Sequence, residues 1–178
     1  MIRIDIQATD TATPALAALV RRGNDKAGLH GAVAEAEEDL FRQHLAAEAR
    51  VRHTTAQRLG AAPTGELEKA AMSPEGTATS QGARITIGPR YLFARAFRDV
   101  TILPTGGKKY LTIPIAARSY GRRIRDFAKG DRKGLFAFVP RVRQRQDRTL
   151  LPSDDGMLAA AEEGAKDYLL ATEKGGAA

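Results

Sequence analysis

Residues 100–115, VTILPTGGKKYLTIPI, determine the fold that the sequence predicts. Residues 100–103 are rich in β-branched side chains, which favour strands. Residues 104–107 carry a strong turn signal, Pro-Thr-Gly-Gly. Residues 110–115 have the composition of a returning strand. Pro114, which has no N–H to donate, places that strand at a sheet edge or ends it. We therefore predict an extended β-hairpin across this stretch.

Helical patterns flank the hairpin on both sides. Residues 29–59 place apolar side chains at 3.6-residue spacing and predict a long helix, which at 1.5 Å per residue spans about 45 Å. Ser153, preceded by Pro152 and followed by two aspartates, is a candidate N-cap for a C-terminal helix. A short strand over residues 2–6 and a helix over 15–22 come first in the chain. The predicted class is α+β: a long N-terminal helix packed on a small antiparallel β-sheet with an extended hairpin, plus a C-terminal helix.

Five further segments have weaker patterns. Residues 66–72 predict one or two helical turns, and residues 73–82 predict a loop by composition. Residues 84–87 predict a short alternating strand. Residues 91–97 fit a strand or a helical turn equally well. Residues 135–142 predict another strand, which a proline interrupts.

Length and composition limit the possible domain organisation, site chemistry and location of the protein. A chain of 178 residues suits one domain, with a core over about 1–117 and 135–173 and a basic arm or loop at 118–134. The absence of cysteine excludes disulfides, thiol catalysis and cysteine-based zinc sites. The apolar runs fall well short of the roughly 18 residues that a membrane span needs, and the N-terminus lacks the pattern of a signal peptide. We therefore expect no membrane contact and a place in the cytoplasm of the producing cell.

The positive charge is concentrated in one segment. The chain carries a net charge of +7, and residues 118–148 contain eleven Lys or Arg against three Asp, a local net charge of +8. The rest of the chain is therefore close to neutral. Charge gathered in this way predicts a surface that faces an acidic partner.

No group of residues in the sequence resembles a catalytic or metal site. His44 and His53 lie nine residues apart on the predicted helix, so they point to nearly opposite faces and cannot share a metal ion. The turn TGGKKY does not match a phosphate-binding loop, because Ile102 stands where the first glycine belongs, Lys109 stands where Ser or Thr belongs, and a strand follows in place of a helix. Ser119 has no histidine near it in sequence. We predict no catalytic residue, no metal, no cofactor and no enzymatic activity.

The basic segment leaves three interpretations open on physical grounds. Arginines with interleaved Tyr120, Phe127, Phe136 and Phe138 suit nucleic-acid binding, although no known binding motif frames them. The same arginines suit a protein–protein surface that pairs with acidic residues of a neighbour. The third interpretation is a solvated loop.

Residues 88–127, GPRYLFARAFRDVTILPTGGKKYLTIPIAARSYGRRIRDF, resemble the virion-morphogenesis proteins of Mu-like and related tailed phages and prophages. The resemblance rests on the strand–turn–strand pattern ending in LTIP at 111–114 and on the YGRR sequence at 120–123, followed by Phe127. The later QDRTLLP at 146–152, leading into a helix, also fits. The histidine that is common ahead of the hairpin in that group is absent, and Phe97 or Arg98 occupies its region.

The resemblance implies a structural protein of the virion neck, at the head–tail junction, which completes or terminates the tail. It implies a homo-oligomeric ring of six or twelve subunits, contacts with connector or adaptor and tail-tube proteins, a position near the packaged DNA, and a host-cytoplasmic stage during assembly. The nucleic-acid-binding interpretation of residues 118–148 stays as the alternative. The candidate protein-interface residues are Lys108, Lys109, Arg118, Arg122, Arg123, Arg125, Arg141, Arg143 and Arg145.

Overall fold

The computed structural model describes residues 12–52 and 54–171. The strand predicted over residues 2–6 lies outside the described residues, as does His53. The helices are α1 (Ala12–Asn24), α2 (Lys26–Val51), α3 (Thr54–Leu59), α4 (Glu66–Ala71), α5 (Arg90–Phe97), α6 (Arg132–Leu135) and α7 (Asp154–Leu170). The strands are β1 (Glu75–Thr79), β2 (Gly82–Thr86), β3 (Val100–Ile102), β4 (Leu111–Pro114), β5 (Phe136–Val139) and β6 (Val142–Gln144). The α+β class is confirmed.

The chain divides into two compact units. Among the described residues, the helical unit comprises 12–38, 75–85 and 154–171, and the mixed unit comprises 39–52, 54–74 and 86–153. The prediction of a single domain stays a prediction. None of the described helices combines the length and the apolar character needed to cross a membrane.

Local capping starts α2 in the helical unit. The Asp25 carboxylate accepts a hydrogen bond from the backbone N–H of Gly28 at 3.0 Å, which is the N-cap to N3 contact of a helix start. The Tyr168 hydroxyl on α7 donates to the same carboxylate at 2.6 Å. The hydrogen bond from Tyr168 and the one from Gly28 lower the pKa of Asp25. This contact therefore ties α7 to the start of α2.

Small residues let α7 and the β1–β2 hairpin approach α2 closely. A Cβ atom added to Gly164 of α7 would lie 2.7 Å from the Ala32 carbonyl oxygen and 2.8 Å from the Ala36 Cβ. A Cβ atom on Gly76 of β1 would lie 2.8 Å from the Ala34 oxygen, and its N–H donates to the Glu38 carboxylate at 2.6 Å. Side chains larger than hydrogen do not fit at either glycine without movement of backbone.

We expect Gly164→Ala to destabilise the helical unit and Gly31→Ala to stabilise it. Both glycines lie inside helices, so both substitutions gain helix propensity of up to ~1 kcal/mol. Only the Gly164 substitution overpacks a contact, because nothing lies within 4 Å of a Cβ atom built on Gly31. The two variants should differ by about 2 kcal/mol in unfolding free energy, measured by urea denaturation. Equal stability would mean that α2 and α7 are not closely packed.

The core of the mixed unit lies between α2, α4 and α5. Leu45 of α2 is fully buried and clusters with Ala70, Ala71 and Phe93. Ile87 and other partly buried side chains pack against this cluster. The aliphatic and alanine-rich core follows from a sequence with few aromatic residues. This core packs α2, α4 and α5 against one another.

The strand pairing corrects the predicted 100–115 hairpin. Strand β3 pairs antiparallel with β6, with Val100 opposite Gln144, and strand β4 pairs antiparallel with β5. Eight residues separate β3 from β4, which is longer than the usual hairpin loop of about 2–5 residues. The apolar run at 136–139 also offers β4 two phenylalanines as cross-strand partners. Pro114 does lie on a two-stranded sheet, in which every strand is an edge.

The structure also refines five other predicted elements. Residues 73–82 are not a loop, because β1 and β2 form a hairpin around Ser80 and Gln81. Residues 91–97 are helical, as part of α5. The strand predicted over 135–142 is two strands, since Pro140 separates β5 from β6. The helix predicted over 29–59 appears as α2 and α3, whereas the C-terminal helix begins at Asp154, directly after the predicted cap.

Candidate basic interaction site

The basic loop, residues 118–134, is anchored by one buried hydroxyl. Ser119 is fully buried, and its Oγ lies 2.8 Å from the carbonyl oxygens of Ala116 and Leu135. Its single proton is shared between these two acceptors. Leu135 also accepts a hydrogen bond from the Ile115 N–H at 2.9 Å, which extends the β4–β5 ladder. The start of the basic loop is therefore fixed to its end.

Aromatic and backbone contacts hold the middle of the basic loop. Phe127 packs edge-on against Phe136 of β5, with ring centroids 5.5 Å apart and planes at 70°. The Arg132 guanidinium donates to the Phe127 carbonyl at 3.0 Å. The Asp126 carboxylate accepts from the Arg123 N–H at 3.0 Å, while the Asp126 N–H donates back to the Arg123 carbonyl at 3.0 Å. The segment predicted as an arm or loop is a folded loop on the β4–β5 sheet.

We expect Ser119→Val to destabilise the mixed unit by about 2 kcal/mol. Valine cannot donate a hydrogen bond, so it leaves two carbonyl oxygens with fewer partners, and its additional methyl group overpacks a fully buried site. Ser80→Val, at an exposed turn, provides the matched control and should change stability by less than ~0.5 kcal/mol. Chemical denaturation of both variants measures the difference. If the two variants were equally stable, Ser119 would not anchor the loop.

A pocket of about 520 Å³ opens between the basic loop and one face of the β4–β5 sheet. Thr112 and Pro114 are two residues apart in β4, so their side chains lie on the same face of the sheet. Their cross-strand partners, Phe138 and Phe136, lie on that face as well. Phe136 and Pro114 line the pocket, and Phe136 is only 3% exposed. The floor of the pocket is therefore apolar.

Four cationic side chains line the same pocket: Lys108, Arg122, Arg123 and Arg125. All four are exposed residues. Among the described residues, no ion pair holds any of the four. The nearby carboxylate of Asp126 is engaged by the backbone of Arg123. The pocket thus combines an apolar floor with a positive rim, and we call it the basic pocket.

The other predicted interface residues lie outside the basic pocket. Lys109 is exposed in the β3–β4 connection, and Arg118 is exposed in a 3-10 turn. Arg141 is exposed between β5 and β6, and Arg145 is exposed directly after β6. Arg143 of β6 forms an exposed ion pair with Asp99 at 2.9 Å. The structure therefore brings four of the nine predicted residues together.

The Asp99 carboxylate accepts hydrogen bonds from two residues that lie far from it in the sequence. The Gln146 backbone N–H donates to Asp99 at 2.8 Å, and this hydrogen bond, together with that from Arg143, lowers the pKa of Asp99. The Gln146 side chain donates to the Ala96 carbonyl at 3.2 Å. These contacts fix the segment after β6 against the end of α5. Arg143 is therefore a structural residue of this junction.

The sequence did not indicate an ion-pair network centred on Asp147. The Arg52 guanidinium donates to Asp147 at 2.5 Å and also contacts Glu48 and Thr149. Arg95 donates to the same carboxylate at 3.2 Å. The Arg52 hydrogen bond, followed by that from Thr149, lowers the pKa of Asp147. The Asp147 N–H also donates to the Arg95 carbonyl at 2.8 Å. Arg52, the residue that follows α2, is thereby joined to the 147–149 segment, and no local motif in the sequence predicts this contact.

His30 and His44 each form a hydrogen-bond contact with a backbone carbonyl oxygen. His30 Nδ1 lies 2.7 Å from the Thr79 carbonyl oxygen, and His44 Nε2 lies 3.1 Å from that of Thr149. Within residues 12–52 and 54–171, no cluster of three or more His, Cys, Asp or Glu could hold a metal ion. The basic pocket offers another molecule both positive charge and an apolar floor.

Comparisons of this chain with protein-family models, with curated proteins and with solved structures found no match.

Proposed function

We propose that this chain is a structural protein of a tailed-phage virion, located at the head–tail junction, where it assembles as an oligomeric ring that completes or terminates the tail. The observation that carries the proposal is the folded basic loop, whose pocket-lining cations form no ion pair among the described residues and lie beside an apolar floor, in the same unit as the phage-like segment. Residues 88–127 lie entirely in the mixed unit. The features that carry the resemblance therefore belong to one compact body.

Open strand edges support assembly of this kind. The β3–β6 and β4–β5 sheets each contain two strands, so each has two edges within the described chain. Unpaired edges accept strands from neighbouring chains. A closed ring needs heterologous interfaces, in which one surface of each subunit contacts a different surface of the next. An edge on one side and the basic pocket on another would supply two such surfaces.

The oligomeric state and the location test the proposal. We expect the purified chain, alone or with its connector, to form a ring of six or twelve subunits by light scattering and electron microscopy. We also expect to find the protein in the neck of virions produced by the phage or prophage whose genome encodes it. A monomer that is absent from those particles would overturn the proposal.

The charge of residues 118–148 favours nucleic-acid binding as a second candidate function. A salt titration of binding to a 20-base-pair DNA duplex distinguishes nucleic-acid binding from the junction function. For a junction protein we expect binding at low salt that disappears by about 150 mM, because few phosphates are neutralised. Tight binding that persists at that salt, with a slope indicating several phosphate contacts, would favour the nucleic-acid function.

A further inference from the structure

We infer that the basic pocket binds an acidic peptide segment of a partner protein, which places an apolar side chain on the Pro114–Phe136 floor and carboxylates against the rim. This inference deepens the proposed function, since it assigns the chemistry of the partner at one surface of the subunit. It rests on the geometry of the basic pocket, with its apolar floor and its cationic rim.

The rim specifies the charge of the occupant. Arg122, Arg123 and Arg125 come from a single stretch of the basic loop, and Lys108 comes from the connection before β4. Cations from two segments therefore converge on one cavity. Guanidinium groups bind carboxylates with two parallel hydrogen bonds, which makes a carboxylate-rich ligand a good match.

The apolar floor of the basic pocket indicates that the ligand also carries an apolar side chain. Pro114 lines the pocket and is partly exposed, and Phe138 lies on the same face of the sheet with 46% of its surface exposed. An apolar side chain that covered this surface would gain free energy in proportion to the area removed from water. An acidic residue alone would leave that surface uncovered. The preferred ligand is therefore amphipathic, with an apolar residue between carboxylates.

The size and the fixed rings favour a peptide over a nucleic acid. The volume of about 520 Å³ lies within the range of roughly 300–1,000 Å³ typical of pockets that enclose a compact ligand. Phe136 is held edge-on by Phe127 and is almost fully buried, so of these two phenylalanines of β5 only Phe138 presents an exposed face. Single-stranded nucleic acids are bound by several exposed aromatic faces along a groove. An apolar floor with a cationic rim suits a side chain flanked by carboxylates.

Three short peptides and one oligonucleotide test the inference on the full chain. The probe is fluorescently labelled EDLFED, with both ends blocked. QNLFQN lacks the carboxylates, EDSSED lacks the apolar residues, and a hexathymidylate represents nucleic acid. By fluorescence anisotropy we expect EDLFED to bind at least about tenfold more tightly than each of the other three. Equal binding of QNLFQN or EDSSED, or tighter binding of the oligonucleotide, would overturn the inference.

Matched variants locate the binding. Arg122→Ala with Arg123→Ala should weaken EDLFED binding at least about tenfold. Lys129→Ala with Lys133→Ala removes the same charge from exposed residues of the basic loop outside the pocket, and should change binding less than about twofold. Circular dichroism checks that both variants fold. If both pairs weakened binding equally, the contact would be non-specific and the site wrong.

The outcomes for the site and for the proposed function are distinguishable. Peptide selectivity with loss in the Arg122 and Arg123 variant supports the pocket, even if the chain forms no ring. If the chain forms a ring in the neck but does not bind EDLFED, the proposed function stands and the inference that the basic pocket binds an acidic peptide is wrong.

Discussion

Replacing Arg122 and Arg123 with glutamate is expected to block the joining of heads and tails while the subunit still folds. The two side chains line the basic pocket and have no ion-pair partner among the described residues. Reversal therefore breaks no intramolecular salt bridge, but it repels an acidic partner. Reversing charges that are paired in an assembled interface costs several kcal/mol, so particle yield should fall by roughly a hundredfold or more.

A complementation assay measures this effect. A phage or prophage that lacks the gene receives the wild-type chain, the Arg122→Glu, Arg123→Glu variant, or the control Lys129→Glu, Lys133→Glu. The control makes the same change in net charge at exposed sites of the basic loop outside the pocket. We expect free heads and free tails with the first variant and normal particles with the control. Normal titres from the first variant would show that the pocket has no part in assembly.

Replacing Asp147 with asparagine is expected to destabilise the mixed unit by about 3 kcal/mol at neutral pH. Asparagine keeps the shape but loses the charge that Arg52 and Arg95 contact, and both arginines are less than one-third exposed. Asp131→Asn, at an exposed position, makes the same change in charge and should alter stability by less than ~0.5 kcal/mol. Urea denaturation at pH 7 compares them.

The same contact predicts how stability depends on pH. The hydrogen bond from Arg52 lowers the pKa of Asp147 in the folded chain. The stabilisation is therefore complete above the unfolded pKa of about 3.9 and is lost as pH falls through the lower folded pKa. Wild type and Asp147→Asn should differ at pH 7 and converge in the acid range. A difference that stayed constant down to pH 2 would contradict this assignment.

Local signals predicted the start of α7 and the strands β3 and β4, but they missed strand β1. Ser153 and its following aspartates marked the start of α7, since capping acts within one turn of a helix. Strand composition at 100–103 and 110–115 likewise placed β3 and β4 correctly. Each of these signals depends on neighbours in sequence.

Pairing and contacts between distant residues were not predictable in the same way. Strand β3 pairs with β6, about forty residues later, because the intervening β4 finds a better apolar partner in β5. The Arg52–Asp147 contact joins residues that no motif connects. The charge of the basic segment was visible in the sequence, but the grouping of its cations was not. In the folded chain Lys108, Arg122, Arg123 and Arg125 line one pocket. Arg143 instead forms an ion pair with Asp99.

The most direct test is an electron-microscopic image of purified particles that carry a tagged copy of this chain. We predict a ring of density for the tag at the junction of head and tail, with six- or twelve-fold symmetry. Density elsewhere in the particle, or no tagged protein in it, would contradict the proposed role at the head–tail junction.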